Sequence, residues 1–286
     1  MSEPFTALLE AFLPAEWQLT AITPRITRAD APDQASVAIK TYPMPASAER
    51  EFAVLSALRD FGMNLAPEPL HLAGQQVIMS WLNAQPIRYL PDLHDQEGWQ
   101  RMKSALGASD ALQLGRYSKT VPMQGRGYMR PGDLIDDLGR KLSQLDSNNP
   151  IYGRLAQVLE RVRQQVAPDW HTPAPVGLQR CDPATHNLLW DGHHLLAVDW
   201  ERADWGDLAA EIGLWSAHPD YEQIPSPHWV WVRWEVARLK HEQELVPRAT
   251  IYARLGLVYW ALELATSADT ALRDRYIQRA EKAFPG

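Results

Sequence analysis

Residues 178–200 read LQRCDPATHNLLWDGHHLLAVDW, and this stretch decides how the rest of the chain is interpreted. Two short apolar runs flank Asp191-Gly192, a pair that is typical of a β-hairpin turn because glycine adopts positive φ without steric strain. Asn187 immediately precedes the first run, and Asp199 follows the second. The pattern therefore predicts a hairpin that brings Asn187 and Asp199 to the same end.

A further carboxylate, Asp182, lies in the loop just before this hairpin. Two carboxylates and one amide oxygen would then converge, and such hard oxygen groups are the ligands that Mg²⁺ prefers. The stretch thus predicts a magnesium site. The alternative is an ordinary surface hairpin whose acidic residues are solvated.

Composition indicates a globular protein and argues against several classes. The 286 residues are 45% hydrophobic and 22% charged, close to the globular average. A formal net charge of −7 argues against nucleic-acid binding, which favours a basic face. The single cysteine, Cys181, excludes an internal disulfide. Because no signal-peptide pattern and no apolar run of about 18 residues occur, we expect a cytoplasmic protein without a membrane span.

The segment after the hairpin carries a family resemblance. Residues 198–215 read VDWERADWGDLAAEIGLW, with Glu201 and Gly206-Asp207 following Asp199 in order. This arrangement resembles the aminoglycoside phosphotransferase and choline kinase-like family. The resemblance implies an α+β, protein kinase-like bilobal fold. It would comprise a small antiparallel-sheet lobe at residues 1–82 and a larger, mainly helical lobe at residues 83–286, which includes a variable helical insertion.

Apolar periodicity predicts the individual elements. Strands are expected at 17–21, 25–29, 35–42 and 76–82, with a further strand entered from 65–72. Helices are expected at 2–13, 47–61, 131–145, 151–166, 208–216, 229–245, 250–267 and 271–284, and weaker ones at 97–106 and 108–115. Ser47 is expected to cap the helix at 47–61.

The resemblance implies how a nucleotide, ATP or GTP, would be held. Lys40 ends a V-A-I-K strand and would neutralise phosphate charge. Glu51 would hold Lys40 in place, with Glu49 as a solvent-exposed alternative. Main-chain groups of Ser80 and Leu82 would contact the adenine edge.

The resemblance implies one further nucleotide-pocket residue and the catalytic roles. Met79 would close the back of the nucleotide pocket. Asp182 would orient the acceptor hydroxyl and accept its proton, while Asn187 and Asp199 would hold Mg²⁺. Asp207 would be a buried structural acid that braces the catalytic loop through main-chain N–H groups.

The chain departs from the family pattern at two places. Arg180 and Cys181 stand where the family usually has histidine and glycine before the catalytic aspartate. No glycine precedes Gly62, so the turn between the first two strands cannot wrap phosphates as a glycine-rich loop does. Thr23, Arg25 and Mg²⁺ would then do that work, or nucleotide binding would be weak.

The acceptor is less defined than the nucleotide site. Seven of the twelve tryptophans lie between residues 200 and 260. Their faces could hold a quaternary ammonium, but packing in the core explains most tryptophans equally well. We therefore expect a small-molecule hydroxyl acceptor, with a cationic compound as one alternative, and no nucleic-acid partner. The function predicted is a magnesium-dependent small-molecule kinase. The alternative is a catalytically weak or inactive binding or regulatory protein, and a protein kinase is disfavoured because no activation loop fits after Glu201.

Overall fold

The structure is a computed structural model. It describes residues 17–87, 121–166, 174–182, 184–224, 226–240 and 242–286. The helices predicted at 2–13, 97–106 and 108–115 lie outside these ranges.

A five-stranded antiparallel sheet forms the first part of the described chain, in the order β1-β2-β3-β5-β4. Its strands are β1 (Gln18–Thr23), β2 (Ile26–Asp30), β3 (Val37–Thr41), β4 (Pro69–Ala73) and β5 (Gln76–Ser80). All five strands were predicted. Ala29, Val37, Ile39 and Ile78 form a small buried cluster on this sheet, and Lys40 lies in the central strand β3.

Helix α1 (Pro45–Asp60) packs beside this sheet and buries Val54, Leu55 and Leu58. The helix begins before the predicted start, so Ser47 is not its N-cap. Met44 holds the extended N-cap position, and Pro45 begins the helix because proline lacks only an N–H that would be unpaired there.

Helices make up most of the remaining described chain. They are α2 (Pro131–Gln144), α3 (Tyr152–Val166), α4 (Leu208–Ala217), α5 (Ser226–Lys240), α6 (Leu245–Glu263) and α7 (Thr270–Ala283). The predicted boundary between the helices at 229–245 and 250–267 was wrong. Helix α6 already begins at Leu245, because Pro247 is tolerated within a first helical turn. Among the described helices, none combines the length and apolar character needed to span a membrane.

Two small sheets flank the loop that carries Asp182. The predicted hairpin is confirmed as β8 (Leu188–Trp190) and β9 (Leu195–Ala197), with Gly192 at φ 99° in the turn. A short strand, β6 (Gln85–Pro86), extends this sheet. Strands β7 (Val176–Gln179) and β10 (Asp204–Asp207) form the second sheet, which the sequence did not predict.

Candidate active site

A buried ion pair joins the sheet to helix α1. Lys40 Nζ lies 2.6 Å from Glu51 Oε2, and the two side chains are 9% and 1% exposed. Tyr42 Oη donates to the same Glu51 oxygen at 2.5 Å, and the main-chain N–H of Trp200 donates to Glu51 Oε1 at 3.1 Å. Glu51 therefore connects the central strand, α1 and the segment that follows the hairpin. Glu49, the alternative partner, is exposed.

Lys40 also reaches the end of the hairpin, where its Nζ lies 2.5 Å from Asp199 Oδ1. Burial lowers the pKa of Lys40, but the charges of Glu51 and Asp199 more than offset that effect, so the pKa is raised overall. Lys40 is consequently a fixed positive charge at the point where β3, α1 and the hairpin end meet.

Asp199 occupies a left-handed backbone conformation, with φ 63° and ψ 61°. Such a conformation is uncommon for residues other than glycine and occurs often at functional sites. It places a carboxylate oxygen of Asp199 within 4.8 Å of oxygens from Glu51 and Glu201. Carboxylate oxygens suit Mg²⁺. Of the three acids in this cluster, only Asp199 was also predicted from the sequence to bind the metal.

Asn187, the other predicted metal ligand, lies at the start of the hairpin. The N–H of Val198 donates to the Asn187 main-chain oxygen at 3.0 Å, so the two ends of the hairpin are adjacent. The Asn187 side chain is buried, and its Nδ2 has no hydrogen-bond partner within the described residues. A buried amide with an unused donor marks a polar site that the described protein atoms do not fill, which fits a role in holding a ligand or its waters.

The β1–β2 turn differs from a phosphate-binding loop in a specific way. Thr23 Oγ1 accepts hydrogen bonds from the main-chain N–H groups of Arg25 and Ile26 at 3.2 and 3.0 Å. Pro24 has no N–H to offer. The N–H groups of residues 24–26 therefore cannot wrap phosphate oxygens, and Thr23 organises the turn itself.

The Arg25 side chain projects from this turn toward the hairpin. Its guanidinium forms an ion pair with Glu201 at 2.9 Å and donates from Nε to Thr41 O at 3.2 Å. Its Cζ also lies 5.6 Å from the centre of the Tyr42 ring. Arg25 thus supplies a cation where the glycine-free turn supplies no N–H groups.

The residues predicted to contact adenine lie at the end of β5. Met79 is buried against the core, opposite Ala38 of β3. The N–H of Ser80 already donates to Glu68 O at 2.8 Å, so Ser80 can offer only its carbonyl oxygen. The main-chain N–H and C=O of Leu82 form no hydrogen bond within the described part of the chain.

Asp182 lies in the loop after β7, where Cys181 adopts φ 57°. Arg180 donates from its guanidinium to the Asp182 main-chain oxygen at 2.9 Å. The Asp182 carboxylate accepts from the N–H of Ala184 at 3.3 Å and has no cation partner among the described residues. Arg180 therefore supports the loop, whereas the Asp182 carboxylate is available to a ligand.

Glu211, a residue that the sequence analysis missed, braces this loop. The Glu211 carboxylate accepts from the N–H of Cys181 at 3.5 Å and from Trp215 Nε1 at 3.2 Å, and Arg180 Nε lies 3.9 Å away. Burial raises the pKa of Glu211, and the Arg180 charge acts in the opposite direction. A lone acidic residue in the otherwise apolar helix α4 is the signal that could have revealed it.

Asp207 is buried, but its contacts differ from those predicted. Its carboxylate accepts from the N–H of Ala209, at the start of α4, and forms an ion pair with Arg248 of α6 at 2.9 Å. Asp207 thus joins two helices, and the contact to the loop that carries Asp182 comes from Glu211. Burial raises the pKa of Asp207 and Arg248 opposes this effect.

A cavity of about 610 Å³ opens beside Asp182. Its charged lining residues are Arg126, Asp137, Arg140, Asp182, Glu201, Arg202 and Glu211. Its aromatic lining residues are Tyr128, Trp215, His218, Tyr259 and Trp260. The cavity is large enough for a small organic molecule.

Solved structures with the same fold were found by structural comparison. A choline/ethanolamine kinase family protein from Mesorhizobium loti is 17% identical, with 99% of this chain and 95% of that chain covered and a TM-score of 0.66. The macrolide 2′-phosphotransferase MphH from Brachybacterium faecium is 13% identical, with 98% of each chain covered and a TM-score of 0.63. A ternary complex of APH(2″)-IIa with streptomycin and ATP is 11% identical, with 99% and 96% covered and a TM-score of 0.66.

These similarities confirm the predicted α+β, protein kinase-like fold. A search of curated protein sequences gives no significant match. The sequence model of the phosphotransferase enzyme family matches residues 28–249, which include the central strand, the hairpin and helix α4. The chain therefore belongs to the phosphotransferase enzyme family, as the resemblance in residues 198–215 predicted.

Proposed function

We propose that this protein transfers the γ-phosphoryl group of ATP to a hydroxyl group of a small molecule, with Mg²⁺ as the metal cofactor. The observation that carries the proposal is the placement of Lys40, held by Glu51, against Asp199. The unpaired carboxylate of Asp182 faces a ligand-sized cavity in the same molecule. Phosphoryl transfer needs this combination of charge neutralisation and positioning more than covalent help from the protein.

The nucleotide would lie between the five-stranded sheet and the hairpin. The Ser80 carbonyl and the free main-chain groups of Leu82 would contact the base, with Met79 behind it. Lys40 would hold phosphate oxygens. Asp199 and Asn187 would bind Mg²⁺, which neutralises phosphate charge when it is bound. A division of the chain at residue 82, the use of ATP or GTP as the nucleotide and a cytoplasmic location are parts of the same proposal.

Asp182 would act on the acceptor. Its carboxylate would accept a hydrogen bond from the acceptor hydroxyl and orient that oxygen toward the γ-phosphorus. The acceptor oxygen forms the new bond to phosphorus as the bond to the ADP oxygen breaks. The hydroxyl proton passes to Asp182.

A second candidate function is a kinase-fold binding or regulatory protein with little activity. The β1–β2 turn favours it, because the N–H groups of Arg25 and Ile26 are taken by Thr23. The enzyme is favoured because the chain keeps all five polar residues that the reaction would need, namely Lys40, Glu51, Asp182, Asn187 and Asp199.

The two functions are separated by thermal unfolding with ATP and with GTP, each with and without Mg²⁺. A ligand that binds only the folded protein raises its unfolding midpoint, and saturation at 100 times Kd contributes about 2.7 kcal/mol. For the enzyme we expect a Mg²⁺-dependent rise that is lost in Asp199→Ala but kept in Asp136→Ala, an exposed control. Absence of any rise at millimolar nucleotide would favour the binding protein.

The ion pair between Arg25 and Glu201 predicts opposite changes in ATP affinity when one or the other residue is replaced. We expect Arg25→Gln to weaken binding of ATP in EDTA by about tenfold or more, because a charged hydrogen bond to phosphate contributes about 1.5–3 kcal/mol. Glu201→Gln removes the ion-pair partner of Arg25 and frees it for phosphate, so ATP should bind more tightly without metal. Isothermal titration with ATP and with adenosine measures both effects.

Adenosine serves as the internal control for Arg25, because it lacks the phosphates that Arg25 would contact. Arg28→Gln is the matched arginine control, since Arg28 is engaged by Asp30 on the same strand, β2. Equal weakening of ATP by Arg25→Gln and Glu201→Gln would show that the ion pair only holds the two parts of the protein together.

A further inference from the structure

The cavity beside Asp182 indicates the charge of the acceptor. This inference rests on the proposed phosphotransferase function. The acceptor hydroxyl must approach Asp182, so the rest of the acceptor must occupy this cavity of about 610 Å³. Lining groups that lack a partner in the protein are the ones that a ligand can satisfy. The charged lining residues that have no partner in the protein therefore indicate the charge of the ligand.

Three of the four lining carboxylates are already engaged by arginines of the same chain. They are Asp137, Glu201 and Glu211, which lie 3.0, 2.9 and 3.9 Å from Arg140, Arg25 and Arg180, respectively. Asp137 also accepts from Tyr128 Oη at 2.9 Å. The remaining carboxylate is the proposed base, Asp182. A cationic acceptor would thus find little uncompensated negative charge in the described lining.

Two aromatic rings that line the cavity already contact cationic side chains of this protein. The guanidinium carbon of Arg180 lies over the Trp215 ring, 4.7 Å from its centre, and Lys141 Nζ lies 4.7 Å from the centre of the Tyr259 ring. The Trp215 ring stacks in addition with Tyr221 at 5.8 Å. A quaternary ammonium needs an open aromatic face, and these two rings already have cationic partners.

Two lining arginines, in contrast, have no carboxylate partner among the described residues. Arg126 and Arg202 are exposed at the cavity, and neither forms an ion pair there. Arg126 is held in place because its guanidinium donates to Glu201 O at 3.1 Å. Burial lowers the pKa of His218, which disfavours a further positive charge at this side chain. The charged lining groups without an ion-pair partner are therefore two guanidinium groups, of Arg126 and Arg202, and one carboxylate, of Asp182.

We propose that the acceptor is a hydroxyl compound that also bears an anionic group, a carboxylate or a phosphate ester, which Arg126 and Arg202 bind. A guanidinium matches both groups because its N–H donors form a planar fork. The partly buried Trp260 gives the same cavity an apolar wall for the body of the ligand. The tryptophan content left a cationic acceptor as one alternative, whereas the charges and contacts at this cavity favour an anionic one.

Binding of paired probes tests this proposal. The pairs are 3-phenyllactate with phenylalaninol, which share a ring and a hydroxyl but differ in charge, and glycerate with choline. Each probe is titrated into the full chain while the unfolding midpoint is followed, first alone and then with saturating ADP. We expect the hydroxy acids to raise the midpoint and the amino alcohols to leave it unchanged. Persistence of the rise with ADP shows that the anion does not occupy the nucleotide phosphate site.

Arginine variants locate the anion. Arg126→Gln and Arg202→Gln should each weaken binding of the hydroxy acid by about tenfold, the loss expected for one charged hydrogen bond. Arg161→Gln is the matched control, because Arg161 carries the same charge on α3 and does not line the cavity. A neutral compound, phenethyl alcohol, should bind all four proteins equally.

Several outcomes overturn the proposal. They are tighter binding of the amino alcohols, no binding of either hydroxy acid, equal binding by the two arginine variants and wild type, and displacement of the acid by ADP. The last outcome would assign both arginines to the nucleotide phosphates. Hydroxy-acid binding in a protein that shows no nucleotide binding would refute the phosphotransferase function and leave the anion site standing.

Discussion

Replacement of Asp182 by Asn is expected to reduce phosphotransfer by about 10²–10⁴-fold, the usual contribution of a positioned acid or base. The amide of Asn cannot accept the hydroxyl proton, although it can still accept a hydrogen bond. Its size is almost the same, so the loop held by Arg180 and Glu211 should keep its shape. The measurement is ATP consumption in the presence of an acceptor.

Binding measurements separate a chemical effect from a structural one at Asp182. Asp182→Asn should keep the unfolding midpoint of wild type and the Mg²⁺-dependent rise with ATP, since Asp182 is not among the nucleotide ligands. Asp136→Asn, an exposed residue on α2, should keep full activity. Full activity in Asp182→Asn would remove Asp182 from the proposed mechanism.

Replacement of Glu51 by Ala is expected to lower the free energy of unfolding by about 3 kcal/mol. Loss of one partner from a buried ion pair typically costs about 3–5 kcal/mol, because the other charge is left in a poorly solvated position. The lower end applies here, since Lys40 keeps Asp199 as a partner at 2.5 Å. Tyr42 Oη and the N–H of Trp200 lose their acceptor at the same time. Urea unfolding at pH 7 measures the change.

Glu49→Ala is the matched control for Glu51, because it removes the same side chain two residues away on the exposed face of α1. Surface substitutions of this kind usually change stability by less than about 0.5 kcal/mol. Phosphotransfer should also fall in Glu51→Ala, because Lys40 would then be held by Asp199 alone. Equal stability of the two variants would show that Glu51 does not organise this site.

Local sequence patterns sufficed for most of the secondary structure. The five strands of the sheet and the hairpin around Gly192 follow from alternation and turn chemistry, which depend on near neighbours. Helix ends were predicted less well. Met44 rather than Ser47 caps α1, and α6 begins at Leu245, because proline is compatible with the first turn of a helix as well as with a loop.

The segment 198–215 was enough to identify the family, and the match of residues 28–249 to the family model agrees with it. The same segment could not assign its acids correctly. Asp207 was expected to brace the catalytic loop, yet it pairs with Arg248, whereas Glu211 contacts Cys181. Both acids are buried on or next to α4, and only the packing of α6 and β7 against that helix distinguishes them.

The sequence by itself determined the order of strands and helices, the family and the residue types at the proposed catalytic positions, since these depend on local spacing. The tertiary structure alone decided which charges are engaged. Lys40 meets Asp199 across a separation of 159 residues, and Arg25 meets Glu201 across 176. Ion pairs form between groups that folding brings close together, whatever their distance along the chain. For that reason tryptophan content could raise a cationic acceptor only as one alternative, whereas the proposed anionic acceptor rests on contacts.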